Sequence, residues 1–204
     1  MPHSLAVRAN AWTTRFARTA RECGIGPDLV RPFFASMRAD LTTARHDAAS
    51  HDDYVYGSAE VVGLMCLQVF MSAGEQHPIS PDALLVAGAR RLGAAFQDVN
   101  FLRDIAHDET ALGRDYLGVS AGLSSRDEIL DRVDADLAVA AAAIPLLPAD
   151  CRRAVTAAHD LFAELSARLR PSSGNGERVR VPDAVKVGIA ARAWLGFAPR
   201  GARV

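Results

Sequence analysis

The chain has 204 residues and a formal net charge of −1, with 23 Lys and Arg set against 24 Asp and Glu. That length suffices for one domain with a substantial core, and the interspersed charges leave no clustered basic patch of the kind a nucleic-acid footprint needs. Half of the residues are apolar, rich in Ala and Leu with only 6% aromatics, a composition that suits helices packed on helices and offers few segments with the period-two alternation of a sheet. The three cysteines, Cys23, Cys66 and Cys151, are far apart and odd in number, which argues against a disulfide framework and for a reducing, cytoplasmic setting. The first twelve residues lack the basic-then-apolar pattern of a signal peptide. The most apolar run, Val61 to Met71, is too short by itself to span a bilayer. A soluble protein is expected, with peripheral membrane contact left open.

Helical periodicity runs through residues 4–22 by way of Leu5, Trp12, Phe16 and Ala20. Gly24 and Gly26 end it and Pro27 starts the next element. A second helix is predicted over 28–45, with Leu29, Phe33, Phe34, Met37 and Leu41 on one side. Residues 46–53 read as a polar joint with Ser50 or Asp52 as N-cap. Within it His46 and His51 lie near Asp47, Asp52 and Asp53. A solvated loop is the expected reading, since a zinc site needs tighter ligand spacing. The next helix, 54–73, is apolar all round and so is expected at the centre of the fold. Gly57 and Gly63 inside it cost about 1 kcal/mol each relative to Ala, which points to close helix approach or room for a ligand. Ser80-Pro81-Asp82 opens a long fourth helix. Residues 109–124 connect to an Ala-rich helix from Arg126 to Ile144, stopped by Pro145. A helix over 150–169, a surface loop from Pro171 to Glu177 and a last helix from Pro182 to about Ala198 complete one all-α domain of about seven helices over residues 1–204.

The fourth helix carries the densest chemistry, in the stretch LGAAFQDVNFLRDIAHD, residues 92–108. Gln97, Asn100, Asp104 and Asp108 are 3, 4 and 4 residues apart. At about 100° per residue they stay within roughly 80° of one another on a single stripe. Apolar residues flank that stripe. Oxygen ligands one turn apart can grip a hard cation such as Mg²⁺, and a metal so held can bind a phosphate. By spacing alone, a plain solvated face bearing Asp at i and i+4 is the more common explanation, at a cost of only a few tenths of a kcal/mol.

Two stretches tip that balance. SMRADLTTARHDAASHDDYVYGSAEVVGLM (36–65) and LGAAFQDVNFLRDIAHDETALGRDYL (92–117) together resemble the squalene/phytoene synthase family, most closely its bacterial phytoene synthases. RVRVPDAVKVGIAARAW (178–194) is similar to the family's closing segment, so the resemblance covers about residues 30–194. It implies an all-α, isoprenoid-synthase-like bundle. It also implies Mg²⁺-dependent head-to-head joining of two geranylgeranyl diphosphates to phytoene through a cyclopropyl diphosphate, with Mn²⁺ as an alternative ion. Squalene from farnesyl diphosphate is the close variant. On the resemblance, Asp104 and Asp108 are the metal ligands, with Asn100 beside them. Gln97 and Asn100 face the diphosphate, Arg103 pairs with a carboxylate or a phosphate, Arg114 binds diphosphate and Tyr116 donates to one of its oxygens. Tyr56 lines the cavity near the reacting carbons, and Gly63 leaves room for a prenyl chain or a neighbouring helix. Water must be kept from that cavity, because it would quench an allylic cation.

The family's first aspartate-rich motif has no counterpart upstream of residue 36, so a bundle lacking its N-terminal helices is expected. Such a chain would be inactive or weak alone unless a second chain supplied them. His107, Gly118 and Glu60 also depart from the pattern. A charged Glu60 in a hydrocarbon tunnel would be costly unless it met an arginine or kept its proton. The alternative to an enzyme is a non-catalytic relative that binds a prenyl diphosphate or a partner.

Overall fold

One long rod, α5 (Ala83–His107), organises the helices around it. The computed structural model of the protein describes the backbone of residues 3–41, 48–107, 125–171 and 179–201, and the side chains of residues 13–41, 51–104, 125–171 and 179–201. The described residues form helices and no strand. In chain order they are α1 (His3–Cys23), α2 (Pro27–Ala39), α3 (Ala48–Val55), a π turn (Tyr56–Glu60), α4 (Val61–Ser72), α5, α6 (Arg126–Ala143), a 3₁₀ turn (Ile144–Leu146), α7 (Ala149–Leu169) and α8 (Asp183–Trp194).

Local chemistry explains the boundaries. The Asp82 carboxylate accepts the Leu85 backbone N–H at 2.9 Å, capping α5 just after Pro81. Ser125 and Glu128 form a reciprocal capping box at the start of α6. The Ala-rich run tightens into a 3₁₀ turn around Pro145, because proline lacks the N–H that an α-helix would use there. The last helix ends at Trp194, short of the expected Ala198, and Gly196 takes a positive φ of 82°. The second helix stops at Ala39 instead of running to residue 45.

Two expectations about the third helix are corrected. Residues from Ala48 on are helical, so most of the stretch read as a polar joint belongs to α3. His51 is buried there, while Asp52 and Asp53 face outward. Helical phase carries His51 toward α5 and lets the Tyr54 hydroxyl donate to Asp40, the residue that follows α2, at 2.9 Å. The apolar helix is also not the centre of the fold. In α4 Val61 and Leu67 are buried, but Val62 and Cys66 are exposed. Apart from Val61, the deepest apolar residues come from α5, α6 and α7, among them Ala95, Val99, Leu130, Val133 and Leu169. Because the helix continues through the π turn, His51–Ser72 makes 22 residues, long and apolar enough by length and composition to cross a membrane. In the fold it packs on α2 and α5.

The glycines set how closely these helices cross. A Cβ at Gly57 would lie 2.5 Å from the Pro32 carbonyl oxygen of α2, and one at Gly93 would lie 2.5 Å from the Ala59 carbonyl. A Cβ at Gly63 would run into the Ala89 carbonyl of α5. Backbone therefore meets backbone where the π turn and α4 cross α5, an approach that a side chain would block.

At the other end, buried His159 of α7 places Nδ1 3.0 Å from Asp160 Oδ1 and Nε2 3.0 Å from the Leu137 carbonyl of α6. Asp160 also accepts the Arg200 backbone N–H at 2.8 Å, tying the segment after α8 to α7.

Candidate functional site

The crossing of α4 and α5 leaves space on one side. A cavity of about 460 Å³ opens there, closed on its far side by α6, the 3₁₀ turn and α7. Its wall is almost wholly hydrocarbon, with Leu67, Phe70, Leu92, Phe96 and Ile144 among the larger contributors. Phe96 stacks on Phe162 of α7 with ring centroids 3.8 Å apart, which stiffens that wall. The Cys66 thiol faces this lining, and partial desolvation by the apolar wall raises its pKa. Gly63 lines the cavity as well as admitting the Ala89 backbone.

Gln97 is the one amide among the lining residues. Asn100 and Asp104 follow on the same face of α5, and both are half-buried. The Arg103 guanidinium donates to both Asp104 oxygens, at 3.1 and 3.0 Å. An amide and a carboxylate one turn apart suit a hard cation in donor chemistry. Among the described residues, however, no three His, Cys, Asp or Glu groups converge as a metal site. Asp108, Arg114 and Tyr116 lie outside the described residues.

Tyr56 sits on the other side of α5. It lines a second, polar pocket of about 500 Å³ and lies under the Arg90 guanidinium, 5.4 Å from ring centroid to cation. Arg90 also donates to Glu60 at 2.6 Å, which answers how Glu60 is accommodated: it meets an arginine.

The polar pocket centres on residues that the stripe did not include. Asp98 is only 3% exposed and accepts two N–H bonds from Arg132 of α6, at 3.1 and 2.9 Å. Its other oxygen lies 3.3 Å from His51 Nε2. Arg91 pairs with Asp136 of α6 at 3.2 Å. Burial pushes the Asp136 pKa up, and nearby Arg91 opposes this only in part. The signal for this network was present in the sequence, as charges on the inward side of two apolar helices. A single-helix stripe could not join Asp98 to a residue 34 positions away.

The described geometry is therefore an apolar cavity with a row of amide and carboxylate groups beginning at its wall, on a helix braced from behind by ion pairs. Comparison with known proteins gives this a setting. The family model for squalene/phytoene synthase matches residues 3–121. The chain belongs to the squalene/phytoene synthase family. The match takes in Tyr56, Gly63, the α5 stripe, Arg114 and Tyr116; it begins upstream of residue 30, and residues 178–194 lie beyond its end. Among similar proteins, the bifunctional lycopene cyclase/phytoene synthase of Phycomyces blakesleeanus is 28% identical over 178 residues, covering 75% of this chain and 29% of the relative. The protein of the same description from Blakeslea trispora is 29% identical over 133 residues, covering 55% of this chain and 21% of the relative. This squalene/phytoene synthase family chain thus spans less than a third of the length of these curated relatives.

Proposed function

We propose that the chain is a phytoene synthase-like prenyltransferase unit that joins two geranylgeranyl diphosphates head to head through a cyclopropyl diphosphate, with squalene from farnesyl diphosphate as the close variant. The observation that carries this reading is the hydrocarbon-walled cavity flanked by the Gln97–Asn100–Asp104 row on α5. Its volume of about 460 Å³ falls within the range of roughly 300–1,000 Å³ for ligand sites. Family membership supports the same chemistry.

In this reading the residues divide the labour by polarity. Leu67, Phe70, Leu92 and Phe96 bury the prenyl chain and exclude water from an allylic cation. Gln97 meets the polar head at the cavity wall. Asn100 and Asp104 supply oxygen donors for Mg²⁺, with Asp108, Arg114 and Tyr116 completing the polar end. Mg²⁺, when bound, neutralises the leaving diphosphate. The Arg103 fork, now on Asp104, provides a cation that can pass to a diphosphate oxygen.

A second reading is a non-catalytic relative that binds a prenyl diphosphate. It is favoured by the occupation of both Asp104 oxygens by Arg103. One experiment separates the two: incubation of the purified chain with Mg²⁺ and geranylgeranyl diphosphate. A hydrocarbon product supports the enzyme. Mg²⁺-dependent binding without product supports the second reading. The Asp104→Asn variant should lose Mg²⁺-dependent binding at least tenfold; retention of that binding would overturn the site in either reading.

A further inference from the structure

The polar pocket behind α5 contains buried atoms that the fold leaves unsatisfied. His51 of α3 is 7% exposed and lines the pocket, yet neither ring nitrogen makes a hydrogen bond among the described residues. Asp98 beside it is 3% exposed. Both Arg132 bonds end on Asp98 Oδ2, so Oδ1 has no hydrogen bond, although it lies 3.3 Å from His51 Nε2. Even if a turn of the ring closed that contact, His51 Nδ1 would remain without a partner. Buried polar atoms are nearly always satisfied. Neighbouring acceptors in the wall of a pocket of about 500 Å³ call for an occupant that donates hydrogen bonds to them.

Charge sets the sign of that occupant. The arginines of the lining are already matched: Arg132 pairs with Asp98, Arg91 with Asp136 and Arg90 with Glu60. Two further carboxylates of the lining, Asp52 and Asp53, are exposed, and among the described residues neither forms an ion pair. The pocket therefore carries more carboxylate than guanidinium, and a cleft of that sign concentrates cations.

Donor chemistry then separates one kind of cation from another. A divalent metal needs several ligands, and among the described residues no three His, Cys, Asp or Glu groups converge. An ammonium needs only acceptors. It has three N–H donors, enough for a carboxylate oxygen and the proton-free nitrogen of an imidazole. Bonds of this charge-assisted kind are the strong ones. A second ammonium on the same molecule would meet Asp52 and Asp53 at the rim.

We propose that the polar pocket behind α5 binds a small organic dication, a linear diammonium, with one ammonium on His51 and Asp98 Oδ1 and the other on Asp52 and Asp53. The site does not rest on the prenyltransferase reading, because it shares no lining residue with the apolar cavity.

The test is isothermal titration calorimetry of the full chain with α,ω-diaminoalkanes from propane to octane. The matching monoamines and diols, and Mg²⁺ and Zn²⁺ salts, serve as controls. At least one diamine should bind once per chain, at least tenfold more tightly than its monoamine, and its diol should give no binding heat. Its affinity should fall as salt rises, and the melting temperature should climb with its concentration. The His51 ring nitrogens should shift in heteronuclear NMR as that diamine is added, a response that a merely structural histidine would not give. Asp52→Asn/Asp53→Asn, confined to exposed positions, should lose at least fivefold in affinity with the ligand-free melting temperature unchanged. His51→Leu should lose at least tenfold. The proposal is overturned if no diamine saturates the chain below millimolar concentration, if monoamine and diamine bind equally, or if the His51 resonances stay in place. Full affinity in Asp52→Asn/Asp53→Asn would also overturn it. So would Zn²⁺ binding that moves the His51 resonances when no diamine does, since that would assign the pocket to a metal.

Discussion

Replacing Arg132 with methionine probes what braces α5. The Asp98 carboxylate has 4% of its side-chain surface exposed, and one of its oxygens accepts both Arg132 bonds, at 3.1 and 2.9 Å. Removing one partner of a buried ion pair costs about 3–5 kcal/mol, because the remaining charge keeps its desolvation penalty. Arg132 is itself 44% exposed, so water already screens part of the attraction, and surface-like pairs contribute only about 0–1 kcal/mol. Between these limits a loss of about 2–3 kcal/mol is expected, comparable to hydrogen bonds made to a charged group. Equilibrium urea unfolding of Arg132→Met against the parent measures it. The decisive companion is Asp98→Leu/Arg132→Met. With both charges gone no charge is stranded and only the His51 Nε2 contact is lost, so the double variant should be more stable than Arg132→Met alone. The reasoning fails if Arg132→Met lies within about 0.5 kcal/mol of the parent, the ordinary range of a surface substitution. It fails equally if the double variant is worse than the single one. A loosened α5 should also displace Gln97, Asn100 and Asp104, which share that helix.

Other substitutions test other parts of the fold. In Gly93→Ala the new methyl would meet the Ala59 carbonyl at 2.5 Å; overpacking of about 1–3 kcal/mol should exceed the roughly 1 kcal/mol gained in helix propensity. A melting temperature above the parent's would refute that close crossing. Asp136→Asn addresses the raised acid. Stability contributed by its protonated carboxyl is complete below the ordinary value of 3.8 and is lost as pH rises through the higher folded value. The variant should therefore gain on the parent as pH climbs from that value toward neutrality, and parallel melting curves across that range would contradict the burial argument. Ala158→Phe, on the α7 wall of the cavity, should weaken geranylgeranyl diphosphate binding at least tenfold in calorimetry with little change in melting temperature. Unaltered binding would place the prenyl chain elsewhere.

The helices themselves were legible because their signals are local. Pro81-Asp82 opening α5, Ser125 and Glu128 boxing the start of α6, and Pro145 closing it act within a few residues of where they stand. Helical phase likewise placed Gln97, Asn100 and Asp104 on one face before any partner helix was known. The closing of α2 at Ala39 and the helical state of residues 48–53 were not legible, since helix boundaries without strong caps are weakly marked in the chain itself.

Burial was decided by partners distant in sequence. The stretch richest in hydrocarbon, α4, turned out to flank a cavity, while α5, which carries more charge, took the centre because α6 supplies Arg132 and Asp136 to match Asp98 and Arg91. His51 passed for a loop residue until the helix turned it onto Asp98. The glycines announced a close approach but could not name what approached; only the packed fold set Gly63 against Ala89 and Gly93 against Ala59. A sequence fixes the periodicity of each helix through its backbone. Which face is dry depends on contacts between helices, and their free energy belongs to pairs that the linear order keeps apart.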